Sequence, residues 1–81
     1  MGERYRYRMR AEGSAEMSNL WAWSRQFQGD QGYMGGIDLP VMRQQRAIQQ
    51  ELERLGGVWT DRGSFAFRTR GDLILFRMVW G

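Results

Sequence analysis

Four arginines stand at alternate positions near the start of the chain, Arg4, Arg6, Arg8 and Arg10. A guanidinium fork binds a carboxylate or a phosphate through two parallel hydrogen bonds, so a row of them is a surface for anions. Groups able to catalyse are scarce by comparison. The 81 residues contain no Cys and no His, and all 12 basic side chains are Arg, with no Lys among them. Thiolate and imidazole metal sites, Cys–His and Ser–His–Asp nucleophiles, Schiff bases and phosphate-loop lysines are thereby excluded. Of the carboxylates, Glu51 and Glu53 fall about 200° apart on a helix and form no acid–base pair. An Arg/Tyr nuclease site, with Arg stabilising the phosphorane and Tyr near the scissile bond, is the enzymatic arrangement these residue types leave open. No catalytic, metal or cofactor residue is assigned.

The elements that must carry the arginines are legible from period and punctuation. Residues 4–11 alternate Arg with Tyr5, Tyr7, Met9 and Ala11, the period of a β-strand. From Ser14 the period lengthens, with Met17, Leu20, Trp21, Ser24 and Phe27 on one helical face. A helix is expected over 15–28, with Ser14 as N-cap and Gly29 at its end. A second helix runs from the N-cap Asp38, through Pro40 in its first turn, to Gly56 and Gly57, packing by a narrow stripe of Val41, Ile48, Leu52 and Leu55. Three strands, 58–60, 64–69 and 73–80, then follow, joined by short connections holding Gly63 and Arg70-Gly71-Asp72. The expected fold is a single α+β domain of order β-α-α-β-β-β, an antiparallel sheet with two helices packed on one face.

Charge divides with these elements. Residues 1–10 sum to +3, residues 11–61 to −3 and residues 62–81 to +3. A basic sheet under an acidic helical layer would turn Arg4, Arg6, Arg8 and Arg10, with Arg68 and Arg70, to its open face. Like charges on alternate positions repel and favour an acidic counterpart, either internal, such as Glu51 or Glu53, or on a partner.

Read as a strand, 73–80 is apolar on both faces. Ile74, Phe76, Met78 and Trp80 are assigned to the core with Tyr5, Tyr7, Phe65 and Phe67. Leu73, Leu75 and Val79 then share the open face with Arg77, an apolar centre with an arginine rim, which is how a protein interface is built. Tyr33 and Met34, in the Gly-rich loop 29–37, are added as anchors for a partner. Of the tryptophans, Trp21 and Trp23 cannot both face inward, and Trp23 is expected outside.

Tyr5-Arg6-Tyr7-Arg8, the run from Ala15-Glu16 to Leu20-Trp21, the second helix and the closing meander resemble the layout of ParE/RelE-type toxins over most of the chain. That resemblance implies ribosome-dependent mRNA cleavage or gyrase poisoning, with an antitoxin partner. The Lys and His that many RelE-type sites use are absent here. In size and composition the chain is also similar to inhibitors of phage and mobile-element type, including anti-defence proteins. The first expectation is therefore a cytoplasmic, non-enzymatic interaction protein, an inhibitor or adaptor, that docks on a protein or nucleoprotein with an acidic surface or on a second copy of itself. The alternative is nucleic-acid binding through the basic strands, with Tyr and Phe for stacking. The toxin reading stands third.

Overall fold

The computed structural model describes residues 4–29, 33–34 and 37–81, with the side chains of residues 33, 34 and 37 outside the description. The alternating segment forms β1, Tyr7–Arg10. Ser14 then starts α1, Ala15–Ser24: its Oγ accepts from the Met17 N–H at 3.0 Å and donates to the Ala11 carbonyl at 2.7 Å. One 3-10 turn, Arg25–Phe27, extends this helix. β2, Tyr33–Met34, and β3, Ile37–Asp38, pair as a small antiparallel ribbon within the segment expected to be irregular. Asp38 caps α2, Leu39–Arg54, accepting from the Val41 N–H at 3.2 Å. Gly56, at φ +79°, supplies the left-handed turn that leads out of α2. β4, Gly57–Trp59, and β5, Ser64–Phe67, form the predicted hairpin, and the chain closes with α3, Arg70–Trp80.

The α+β class stands, with an antiparallel sheet of order β1-β5-β4 and helices packed on it. The last element differs from expectation: residues 70–80 are a helix, not a strand, so the described residues hold three α-helices. The place beside β5 that a closing hairpin strand would take is already occupied by β1, through the pairs Tyr7↔Phe67 and Met9↔Phe65. Arg70-Gly71-Asp72, expected as a hairpin turn, is the first turn of α3. Thr69 caps it by accepting from the Asp72 N–H at 3.0 Å, and Asp72 sits at the positive end of the helix dipole. An apolar run that covers both faces of a strand equally covers most of a helix, which is why period alone misassigned it. The toxin-like layout accordingly lacks its closing strand.

The core lies between the sheet and the helices. Phe65, Phe67 and Phe76 are fully buried together with Leu20, Ile48 and Leu52. The Phe76 ring lies 5.2 Å from Phe65 and 5.0 Å from Phe67, centroid to centroid. Gly57 sits directly beneath Phe67, and a Cβ there would come within 2.5 Å of its ring. On α3 the inward residues are Leu73, Phe76 and Trp80, at helical spacing. Leu73, expected on an open face, therefore packs on the core. Ile74 and Met78, expected in the core, are exposed, as is Tyr7. Trp23, expected outside, is half-buried, with its ring 5.2 Å from both Phe27 and Trp80.

Polar contacts tie the helices at their ends. Gln44, buried on α2, donates to Ser24 Oγ at 3.0 Å and accepts from Gln28 at 2.9 Å. Trp80 donates through Nε1 to Glu51 at 3.1 Å, and its carbonyl accepts from Asn19 at 2.6 Å. Glu51 is thus engaged within the helical layer, where Arg54 also donates to both its oxygens, and is no counterpart to the arginines of β1.

Removing the Phe76 ring opens a cavity against two other rings, so Phe76→Ala should cost about 3 to 5 kcal/mol in chemical denaturation. A pH dependence follows from Glu51. Hydrogen bonds from Arg54, helped by Trp80 and the Arg54 charge, hold its carboxyl below the ordinary range despite partial burial. A carboxyl depressed in the native state takes up its proton more readily when unfolded. Its contribution is therefore present above the ordinary carboxylate range and is lost as pH falls through the native value. Glu51→Gln should lower the melting temperature at neutral pH, and that deficit should shrink as melts are repeated at progressively lower pH.

Candidate interaction surfaces

Strand register assigns the basic face. Phe65 and Phe67 point into the core, with Trp59 and Met9 in their rows, so the alternate residues point outward. One outward row runs Arg8, Ala66, Val58, with Ala66 itself covered, and in the next Arg10 stands beside Ser64. Arg6 precedes β1 and Arg68 follows β5 in the same alternation, and Arg4, Arg6, Arg8, Arg10 and Arg68 are all exposed. The Arg68 guanidinium lies over the Tyr5 ring, 5.5 Å from its centroid, and donates to the Tyr5 hydroxyl at 3.3 Å. Asp61, in the β4–β5 turn, lines a shallow hollow with Arg8, Thr60 and Arg62.

The other expected residues are elsewhere. Arg70, Leu75, Arg77 and Val79 belong to α3 and not to the sheet, and Leu73 is turned inward. The apolar centre and the arginine rim therefore do not form one surface. Tyr33 and Met34 pair with Asp38 and Ile37 in the β2–β3 ribbon, and their side chains, named as anchors from the sequence, lie outside the described residues.

A second surface comes from the helical turn of the last segment. With Phe76 pointing at the sheet, Ile74 and Met78 fall on the opposite side of α3, and Leu75 and Val79 on one flank of it. Their exposures are 48% for Ile74, 47% for Leu75, 76% for Met78 and 52% for Val79. Arg70 and Arg77 lie along the other flank, seven residues apart. Arg77 reaches Glu16 on α1, Nε to Oε2 at 3.4 Å. Asp72, the one acid of α3, is turned toward Gly56. Sequence reasoning missed Ile74 and Met78 as surface residues, although their four-residue spacing, with Thr69 three residues before Asp72, was a readable helix signal.

Among the described residues, no three or more Asp or Glu side chains converge in a way that could hold a metal ion, and no helix is long and apolar enough to cross a membrane. Comparison of the chain with known protein families, curated proteins and solved structures finds no match.

Since the Thr69 cap sets where α3 begins, Thr69→Ala should cost about 1 kcal/mol in denaturant titration. The loss should appear as faster amide exchange at the start of α3.

Proposed function

We propose that the protein is a small non-enzymatic interaction protein, an inhibitor or adaptor, that docks the outer face of α3 onto a protein with an acidic surface. The observation that carries this reading is the exposure of Ile74, Leu75, Met78 and Val79 side by side on one helix. Large apolar side chains left in water forfeit about 25 cal/mol for each Å² that a partner would cover. A contiguous group of them is the usual mark of a docking site. The arginines specify the partner's charge. Arg70 and Arg77 border the apolar strip; Arg77 is met by Glu16 of α1 at 3.4 Å, and for Arg70 no acid of α3 faces outward. A complementary surface therefore presents apolar side chains flanked by Asp or Glu. A helix in a groove would be recognised by the 74, 75, 78, 79 spacing. The absence of His, Cys and Lys leaves binding, rather than turnover, as the work this composition suits.

The test is capture from nuclease-treated host lysate, followed by titration with the purified partner. Met78→Glu places a charge at the most exposed point of the strip without touching the core, so the variant should keep its circular dichroism and melting temperature. Its affinity for the partner should fall by at least about tenfold, the loss expected when an anchor is replaced in a docking surface. An unchanged affinity in the folded variant would refute α3 as the docking face. Light scattering of the free protein identifies the case in which the partner is a second copy.

A further inference from the structure

We infer that the outer face of the three-stranded sheet is a separate site, which holds the sugar–phosphate backbone of a single-stranded nucleic acid. Arg8 and Arg10 project from the same side of β1, two residues and so about 6.6 to 6.8 Å apart. This is close to the separation of successive phosphates along an extended single strand. Arg6 continues the row, and Arg68 stands across from it one strand over. The floor beside these guanidiniums is shallow. By register its central residues are Ser64 and Ala66, with Val58 beyond; Ala66 is only 1% exposed, so the face offers the guanidiniums and no apolar anchor at its centre.

That floor decides the ligand class. A protein partner needs buried anchors at the centre of its contact, whereas phosphates need only the guanidinium forks. Three strands at about 4.8 Å spacing give a face roughly 10 Å across, wide enough for one extended chain. At its end Arg68 is held by Tyr5, its guanidinium 5.5 Å from the ring centroid and donating to the hydroxyl at 3.3 Å, which restrains it as the fourth cation of the row. One feature opposes anions: Asp61 lines the hollow that holds Arg8 and Arg62. The site does not rest on the α3 docking face. The two surfaces are on opposite sides of the Phe65–Phe76 contact, so either can fail alone.

The experiment is fluorescence anisotropy with a short fluorescein-labelled oligothymidylate, repeated over a range of salt. Four phosphate contacts predict a slope of log K against log salt near −2.8, or roughly fifty-fold weaker binding between about 50 and 200 mM. Arg8→Gln with Arg10→Gln should bring the slope to about −1.4. The Lys pair at the same positions should keep the slope of the parent, which guards against misreading a folding defect. Asp61→Asn should tighten binding, and Met78→Glu should leave it unchanged. Absence of binding at low salt, or an unchanged slope in the Gln pair, would overturn the site. Preference for a duplex of equal length overturns the single-strand assignment. Stronger competition by a polyglutamate peptide than by unlabelled oligonucleotide overturns the nucleic-acid assignment.

Discussion

The stacking of Phe76 against Phe65 and Phe67 is the contact on which the rest of the arrangement depends. Two rings from β5 receive one from α3, and the sheet could not present both without β1 and β4 holding β5 in the middle. Once Phe76 points down, helical geometry leaves no freedom in the remainder of α3. Leu73 and Trp80 must follow it inward, and Ile74 and Met78 must face away. Glycine at position 57 is part of the same contact, because any larger residue would meet the Phe67 ring.

This arrangement separates charge from apolar surface. Along β1 the strand period sends Arg8 and Arg10 to one side and Met9 to the core. The arginine rows therefore stand over the small residues of β5, while the exposed aliphatic side chains belong to a helix on the far side of the core. The charge blocks of the sequence are real, but the C-terminal block is divided. Arg68 stays with the sheet beside Tyr5, whereas Arg70 and Arg77 leave with α3. A single rimmed interface becomes two surfaces of different chemistry.

Much of the fold was legible because its signals were local. Alternation marked β1, the Ser14 and Asp38 caps marked α1 and α2, and Gly63 marked the β4–β5 turn. The last segment was not, because its apolar residues satisfy two periods and the choice between them is tertiary. Whether residues 73–80 could pair as a strand depended on whether β1, more than fifty residues earlier, had taken the edge of β5. The candidate site inherited that ambiguity. The basic face depended only on the β1 alternation and was placed correctly for Arg8 and Arg10. The apolar face depended on α3, so Leu75 and Val79 were found on the surface, Leu73 was lost to the core, and Ile74 and Met78 were overlooked.

The energetics of α3 connect its packed side with its exposed one. A helix of 11 residues is marginal alone in water and owes its order to packing. Here the contacts lie on its inner side, at its ends and on the arginine flank: Phe76 on the sheet, Trp80 against Trp23 and Glu51, Asn19 on the Trp80 carbonyl, Thr69 at the cap, and Arg77 against Glu16. None involves Ile74, Leu75, Met78 or Val79. The outer strip is therefore free to be shaped by a partner without weakening the core. Under the docking reading, a partner that binds only the ordered helix would in turn stabilise it, by an amount set by partner concentration relative to Kd. The element with the greatest exposed apolar surface would then gain most from being covered, and its interaction surface would contribute to the stability of the complex without being needed to form the fold.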